Sequence, residues 1–341
     1  MIKRILYTLL IMFPVVASAQ INTDRVMAIG RNALYFEDYV LSIQYFNQVI
    51  NAKPYLSDPY FYRGLAKINL DDFQGAESDC SEAIERNPFV VSAYQVRGLA
   101  RIQQNNFAGA IEDYTKALEF DPENIGVWHN MALCRIRQED YKGAKNDLDK
   151  LIAISPRYTK AYLMRGEVDL KQKDTLAAEK DFGKAIEIDR YDADTWASRA
   201  ILRLQQQRYK DAEADFDHAI RLSTRNSGVY INRALARYHQ NNLRGAMSDY
   251  DIALDIDPNN FIGHYNRGLL RAQVGDDNRA IQDFNFVIEM EPDNMMAIFN
   301  RGLLLDQTGD YKGAIKDYST VINEYPNFLL GYQYRAQDRK S

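Results

Sequence analysis

The sequence predicts an all-α fold, a solenoid of antiparallel helix pairs, and the first observation behind this prediction is the placement of the prolines. Seven of the nine prolines share one phase of a 34-residue period, and Arg190 and Thr224 stand where the series is broken. These prolines are Pro54, Pro88, Pro122, Pro156, Pro258, Pro292 and Pro326. A period of this length is the signature of stacked supersecondary units.

The second observation is that each period contains two helical patterns. In residues 91–124, Tyr94 and Gly98 belong to a series at three- and four-residue steps, which is the spacing of one helix face. The polar pair Asn105–Asn106 then favours a turn. A second helical pattern follows and ends at Pro122, because proline cannot continue a helix.

The third observation is a small residue at two fixed positions of the period. The eighth residue is Gly or Ala in all nine repeats, and the twentieth is Ala in eight of them, with Ser42 in the first. A large side chain at either position would push the two helices apart. One helix pair does not bury its own apolar face, so neighbouring pairs are expected to stack into a continuous core.

Counting each member of the series as the thirty-second residue of its unit defines the domain organisation. Residues 20–328 form the solenoid, with no boundary predicted within 23–328. The nine repeats are 23–56, 57–90, 91–124, 125–158, 159–192, 193–226, 227–260, 261–294 and 295–328. Residues 329–341 begin a tenth first helix and are predicted to be a partial repeat or a capping helix.

These residues resemble the tetratricopeptide repeat, which has an aromatic at the fourth position, small residues at the eighth and twentieth, an aromatic at the twenty-fourth and Pro at the thirty-second. Tyr94 and Trp128 fill the fourth position, and Tyr114 and Phe182 fill the twenty-fourth. The resemblance covers residues 23–328. It implies a right-handed superhelical solenoid in which the first helices line a concave groove that holds a peptide or a partner helix.

The chain departs from this family pattern at the seventh, eleventh and twenty-third positions, which are mostly charged. The seventh is usually Arg, the eleventh is often basic and the twenty-third is Asp in eight repeats. Unpaired charges facing a helix would cost several kcal/mol, about the penalty for a buried ion, so we predict structural ion pairs. The predicted pairs are Arg97–Asp113, Arg165–Asp181, Arg199–Asp215, Arg233–Asp249 and Arg267–Asp283.

We expect these carboxylates to be buried, with lowered pKa values because a nearby cation favours the charged form. The repeat with Met131 at its seventh position is an internal control, since Asp147 there must pair with Arg135 or Arg165. An alternative is that the arginines form a ligand site.

The resemblance places the second, fifth, ninth, twelfth and thirteenth positions in the groove. In the last repeats these positions and the adjacent sixth combine apolar side chains with amides, which suits an extended peptide or an amphipathic helix. The candidate partner-binding residues are Asn232, Tyr238, His239, Ile262, Tyr265, Asn266, Leu269, Met296, Phe299, Asn300 and Leu303. The alternative is that the ninth and part of the twelfth position pack between helices. Central repeats carry Lys160, Glu167 and Lys171 instead, which favours the C-terminal end.

Other kinds of site find little support in the sequence. The four histidines fall at different positions of four repeats, so we expect no metal site, and the chain has no HExxH, GxSxG, phosphate-binding or CxxC motif. We therefore predict no catalytic residues and no cofactor. The net charge of −5, without a clustered basic face, argues against nucleic acid. Cys80 and Cys134 lie two repeats apart, too far for a disulfide, and are predicted to be core residues.

The first 19 residues resemble a signal peptide. Lys3 and Arg4 precede an apolar run over residues 5–16, and Ala17-Ser18-Ala19 provides a cleavage site before Gln20. The alternative is a buried N-terminal helix. The signal-peptide pattern predicts an exported protein, periplasmic or secreted. No later segment is apolar enough to span a bilayer.

Together these features predict a non-catalytic scaffold of the bacterial cell envelope that binds a protein or peptide. The alternative is an accessory subunit that holds a polysaccharide or peptidoglycan substrate for a separate enzyme. A sugar site would combine exposed aromatic rings with carboxylates, whereas a peptide site would combine apolar side chains with amides.

Overall fold

Nineteen α-helices and no strand make up the part of the chain that the computed structural model describes, residues 22–338. Eighteen helices form nine pairs of neighbours in the chain, and a nineteenth follows them. The predicted all-α fold of stacked helix pairs is therefore confirmed. The predicted signal peptide, residues 1–19, lies outside the described residues.

Pro156 ends one compact unit and Arg157 begins a second. The repeat period predicted an array without an internal boundary. A period records the spacing of the repeats along the chain, so it does not show where one compact unit ends. The helices of the first unit are α1 (Thr23–Tyr35), α2 (Tyr39–Ala52), α3 (Asp58–Ile68), α4 (Phe73–Arg86), α5 (Val91–Gln103), α6 (Phe107–Phe120), α7 (Ile125–Arg137) and α8 (Tyr141–Ile154).

The second unit contains eleven helices. They are α9 (Thr159–Lys171), α10 (Thr175–Ile188), α11 (Ala193–Gln205), α12 (Tyr209–Leu222), α13 (Ser227–His239), α14 (Leu243–Ile256), α15 (Phe261–Gln273), α16 (Asp277–Met290), α17 (Met295–Gln307), α18 (Tyr311–Glu324) and α19 (Leu329–Asp338). Odd-numbered helices are the first helices of their repeats and even-numbered ones are the second helices.

The turn inside each repeat is built from two adjacent positions. The fifteenth residue has a positive φ in all nine repeats, but only Gly275 and Gly309 are glycines, and Gln207, for example, has φ 61°. The sixteenth residue caps the second helix in most repeats, as where Asp174 accepts a hydrogen bond from the backbone N–H of Ala177. The cap satisfies one of the free N–H groups of the helix start.

Close helix approach explains the small eighth residue. A Cβ on Gly98 would lie 2.8 Å from the ring of Tyr114, and one on Gly166 would lie 2.6 Å from the ring of Phe182. Both rings are fully buried. Each ring therefore fills the space that a side chain at the eighth position would need.

Both cysteines are free and buried. Burial raises the pKa of the Cys80 thiol to about 12 and that of Cys134 to about 11. They are protonated at neutral pH and pack as small core residues.

Between residues 22 and 338, no helix is long and apolar enough to cross a bilayer. Within the same range, no group of three or more His, Cys, Asp or Glu side chains is arranged to hold a metal ion.

Candidate interaction strip and ion-pair ladder

In seven repeats the Asp at the twenty-third position accepts hydrogen bonds from both the Nε and the Nη2 of the Arg at the seventh position of the same repeat. In one such pair, Arg199 Nε lies 2.8 Å from Asp215 Oδ2, and Nη2 lies 2.9 Å from Oδ1. The other pairs of this kind are Arg63–Asp79, Arg97–Asp113, Arg165–Asp181, Arg233–Asp249, Arg267–Asp283 and Arg301–Asp317. All seven aspartates are buried, with at most 5% of their surface exposed.

A second cation, at the eleventh position, reaches the same carboxylate in five of these repeats. Arg203 Nη1 lies 2.8 Å from Asp215 Oδ2. The corresponding contacts elsewhere are Lys67–Asp79, Arg101–Asp113, Arg237–Asp249 and Arg271–Asp283. We call the residues at the seventh, eleventh and twenty-third positions the ion-pair ladder.

The ladder also connects neighbouring repeats through residues that the sequence analysis did not single out. Arg233 Nη1 donates to Asp217 Oδ1, 2.7 Å away, at the twenty-fifth position of the preceding repeat. The equivalent contacts are Arg63–Asn47, Arg97–Ser81, Arg267–Asp251 and Arg301–Asn285. The polar side chains that recur at the twenty-fifth position were the available signal.

The eleventh position makes its own contact with the preceding repeat. Arg101 Nε lies 2.8 Å from Glu77 Oε1, and Arg203 pairs in the same way with Glu179. Burial acts to raise the pKa values of Glu77 and Glu179. The hydrogen bonds from these arginines act in the opposite direction, and the net result is a lowered pKa for both groups. The guanidinium groups are thus occupied by the protein itself, which supports the structural interpretation of the arginines over a ligand site.

The control repeat behaves differently. Met131 is buried and lies against Thr115, the twenty-fifth residue of the preceding repeat. Arg135 Nε lies 2.8 Å from Asp147 Oδ2, but the two atoms lack the geometry of a hydrogen bond. Burial raises the pKa of Asp147 to about 6, against the attraction of Arg135 and Lys150. Asp147 therefore does not have the lowered pKa that was expected of a fully paired carboxylate.

The candidate groove residues lie on the first helices of the second unit. These helices contact one another from repeat to repeat, α11 with α13 and α15 with α17, so they line the inner side of the stack. Ile262 and Leu269 of α15 are 50% and 40% exposed, and Met296 of α17 is 61% exposed. We call Ile262, Tyr265, Leu269, Met296, Phe299 and Leu303 the apolar strip.

Half of the apolar strip is engaged within the protein. Phe299 packs edge-on against Phe328, with ring centres 5.0 Å apart, and Leu303 packs against the buried cluster that contains Tyr318. The Oη of Tyr265 accepts a hydrogen bond from Asn300 Nδ2, 3.1 Å away. Ile262, Leu269 and Met296 are therefore the members that present free surface.

The remaining candidates flank the apolar strip. Tyr238 packs partly into the core of its repeat, and His239 is exposed and stacks on Tyr209 at 4.6 Å. Asn232 and Asn266 are half-buried, and their amides make no hydrogen bond within residues 22–338. Both amides are available to bond the backbone of a bound peptide.

A cavity of about 310 Å³ opens at the C-terminal end of the apolar strip. Its lining is mostly apolar and comprises Asn294, Met295, Met296, Phe299, Val321, Tyr325 and Phe328. The cavity thus offers a place for one bulky apolar side chain of a ligand.

The corresponding surface of the fifth repeat is charged. Lys160, Glu167 and Lys171 on α9 are all exposed.

Family models match most of the repeats. A model described as tetratricopeptide repeat matches residues 198–261 and 265–327. A second model with the same description matches residues 125–158 and 159–192, and a model described as TPR repeat matches residues 98–134. No curated protein sequence matches the chain.

Solved structures with the same fold come from several bacteria. A tetratricopeptide repeat protein from Parabacteroides merdae is 21% identical with a TM-score of 0.55, and the match covers 73% of this chain and 98% of that one. The C-terminal part of a TPR repeat-containing protein from Cytophaga hutchinsonii is 17% identical with a TM-score of 0.57, and the match covers 70% of this chain and 97% of that one. PilF of Pseudomonas aeruginosa is 18% identical with a TM-score of 0.57, and the match covers 62% of this chain and 97% of that one. At these identities the likeness concerns the fold alone.

Proposed function

Because this chain belongs to the tetratricopeptide-repeat family, we propose that it is a non-catalytic scaffold that binds an apolar peptide segment or partner helix along the apolar strip. The observation that carries the proposal is the exposure of Ile262, Leu269 and Met296 on two successive first helices. Exposed apolar side chains grouped on one face mark an interaction surface more often than single ones do.

The chemistry beside the apolar strip favours a peptide over a sugar. Ile262, Leu269 and Met296 are aliphatic, and the neighbouring polar groups are amides of Asn232 and Asn266. A sugar site would need exposed rings that stack on the ligand together with carboxylates. The cavity beside Met296 would accept an anchor side chain, and buried anchors dominate the energy of such interfaces.

The proposal is tested by photo-crosslinking in the native cells. A crosslinking amino acid is placed at Ile262, Leu269 or Met296, and at Leu176 as a matched control, since Leu176 is 81% exposed but lies on a second helix. We expect one partner protein to be captured at the three strip positions and not at Leu176. Equal capture at all four positions would contradict the proposal, and capture of glycan alone would favour the accessory role.

Charge substitution gives the quantitative arm of the same test. Met296→Asp places a carboxylate at the mouth of the cavity, and we expect it to weaken binding of the captured partner about tenfold or more, the effect of losing an interface anchor. Leu176→Asp is expected to leave binding unchanged.

We also propose that the protein acts in the cell envelope. The support is the basic, apolar and Ala-x-Ala pattern of residues 1–19. N-terminal sequencing of the native protein should find Gln20 as the first residue. Soluble cytoplasmic protein that retains Met1 would contradict export.

A further inference from the structure

The ends of the first repeats expose aromatic rings beside the loops that join one repeat to the next. Phe89 is 75% exposed, and Tyr55, at the equivalent thirty-third position of the preceding repeat, is 69% exposed. Phe120, the last residue of α6, is 45% exposed, and its ring centre lies 6.1 Å from that of Phe89. We call Tyr55, Phe89 and Phe120 the aromatic edge.

The fold does not require aromatic side chains in these loops. In six of the nine repeats an exposed charged residue or Asn occupies the thirty-third position, namely Glu123, Arg157, Arg225, Asn259, Asp293 and Asn327. An apolar side chain left in water forgoes the stabilisation that burial would give. Grouped exposed apolar side chains mark an interaction surface, so the aromatic edge is a candidate for one.

The side chain of Arg86 holds the aromatic edge together. Its Nε donates to the carbonyl oxygen of Pro54, 2.6 Å away and directly before Tyr55 in the chain. Its Nη1 donates to the carboxylate of Glu82 on the same helix. Arg86 therefore joins the loop of Tyr55 to the helix that leads to Phe89, and its charge is used within the protein.

The surroundings of the aromatic edge are acidic. Residues 57–124 contain twelve Asp and Glu but only six Lys and Arg, a net charge of −6. Glu85 and Glu123, each within four residues of an exposed ring, are exposed and form no ion pair in the part of the chain that the structure describes. Lys116, a nearby exposed cation, pairs with Glu119 instead. Negative charge in excess therefore surrounds the rings.

The protein itself shows which group covers a ring at the thirty-third position. In the fifth repeat this residue is Tyr191, and the guanidinium of the preceding Arg190 lies over its ring, 5.1 Å from the centre. In the first two repeats the preceding residue is Pro54 or Pro88, which has no charge. Among residues 22–338, no cation lies over a ring of the aromatic edge. The faces of these rings are therefore available to cations of another molecule.

We propose that the aromatic edge binds an arginine-rich segment of another protein, whose guanidinium groups lie over the exposed rings and pair with Glu85 and Glu123. Both the face of an aromatic ring and a carboxylate attract a cation. A sugar chain is a poorer occupant, because Phe89 and Phe120 stand at 81° to each other and form no flat platform for stacking. The aromatic edge lies in the first unit and the apolar strip in the second, so this proposal does not depend on the proposed groove function.

The test uses the full chain and a labelled peptide of alternating Arg and Ala, with a Gln–Ala peptide of equal length as the uncharged probe. The salt concentration is about 0.15 M, at which charges more than about 8 Å apart are largely screened. Fluorescence anisotropy should show saturable binding of the Arg–Ala peptide alone. Phe89→Ser removes a ring without changing the charge, and we expect it to weaken binding about fivefold, the effect of one cation–π contact.

A matched acidic site without an exposed aromatic ring at the thirty-third position separates the aromatic edge from general attraction between opposite charges. Asp293 occupies the thirty-third position of the eighth repeat, Glu289 lies one helical turn before it, and both are exposed. Glu85→Gln combined with Glu123→Gln should weaken binding about fivefold or more, the effect of losing two exposed ion pairs. Glu289→Gln combined with Asp293→Asn removes the same charge and should leave binding unchanged.

Several results would overturn the proposal. One is the absence of binding to the wild-type chain at about 1 mM peptide, a very weak affinity. Another is unchanged binding by Phe89→Ser together with equal losses in the two double variants, which would show general charge attraction. Binding of peptidoglycan fragments that is lost in Phe89→Ser would make the aromatic edge a sugar site. A dimer in sedimentation that dissociates in Phe89→Ser would assign the aromatic edge to a second copy of the chain.

Discussion

At the scale of single residues, the buried aspartates illustrate how a charge is accommodated inside an all-helical stack. Asp215 is 3% exposed, yet its two oxygens receive three hydrogen bonds from Arg199 and Arg203. Removing a carboxylate from water costs several kcal/mol per ion, and good geometry with all lone pairs used recovers it. The pair therefore contributes little as a whole, whereas the loss of one partner is costly.

The first prediction follows for Asp215→Ala. We expect the free energy of unfolding to fall by about 3 kcal/mol or more, because two half-buried arginines lose their common carboxylate. Urea unfolding of the purified protein measures the change. Asp211→Ala is the matched control on the same helix, since Asp211 pairs with Arg208 at the surface, and it should cost less than about 1 kcal/mol. Equal effects would contradict a buried ladder.

The second prediction concerns Asp147, whose pKa burial raises to about 6 from an ordinary 3.8. Since the folded state holds this proton more tightly, the site is most favourable below about pH 4, and its contribution is lost as the pH rises to about 6. Asp147→Asn has no charge to bury. We therefore expect it to stabilise the protein by about 1–3 kcal/mol at pH 7 relative to the wild type.

The check on Asp147 is a series of unfolding curves between pH 4 and 7. The stability difference between Asp147→Asn and the wild type should grow over this range, and Asp113→Asn should destabilise the protein at pH 7 because Asp113 is paired with two arginines. A destabilised Asp147→Asn at pH 7 would show that Arg135 pairs fully with Asp147.

At the scale of helices, the turn inside each repeat holds its fifteenth residue in the left-handed region, with φ between 58° and 87°. Seven of these nine residues carry a side chain, including Lys173 and Gln207. A residue other than Gly, Asn or Asp pays about 1 kcal/mol for this conformation. Three-residue turns of this kind keep the two helices of a pair adjacent and bring the seventh and twenty-third positions face to face.

The third prediction is that Gln207→Gly stabilises the protein. Gln207 is exposed and its φ of 61° suits glycine. The relief of strain exceeds the extra entropy of the unfolded chain, so we expect a net gain of about 0.5 kcal/mol, below the cost of a left-handed non-Gly residue. Thermal unfolding measures it. The reverse change, Gly275→Gln, should lower stability by about 1 kcal/mol by the same reasoning, and a matching gain in both variants would refute the account.

At the scale of the whole molecule, the ladder converts helix pairs into a connected series within each unit. Arg233 bonds Asp249 of its own repeat and Asp217 of the preceding one, so one side chain joins α12, α13 and α14. Repeat proteins are stabilised by each unit and by its contacts with immediate neighbours. The effect of removing the ion pairs of one repeat should therefore remain confined to that repeat and its immediate neighbours.

The fourth prediction tests this locality with Arg233→Met, which copies the natural Met131. We expect hydrogen exchange to accelerate in α12 and α14 together, by the equivalent of about 1–3 kcal/mol, because Asp249 loses its bidentate partner and keeps only Arg237. Protection in α18 should stay unchanged. Exchange that accelerates only in α14 would show that the contact with Asp217 is unimportant.

The sequence by itself determined the helix pairs, their bounds and the Arg–Asp partners inside a repeat. These features depend on spacing along one chain, since helix pitch and a three-residue turn bring Arg199 opposite Asp215 wherever the pattern occurs. Small residues such as Gly166 indicated the close approach of the two helices for the same reason.

Only the tertiary structure decided the contacts between repeats. The bond from Arg233 to Asp217 depends on the angle and distance at which one helix pair packs on the next. The misaligned pair of Arg135 and Asp147 lies within one repeat and shows that the spacing of two residues does not fix the geometry of their side chains. The same angle leaves Met296 exposed while Phe299, three residues along, is packed against Phe328. A regular period does not record that angle, because it is set by the fit of many side chains on two facing surfaces.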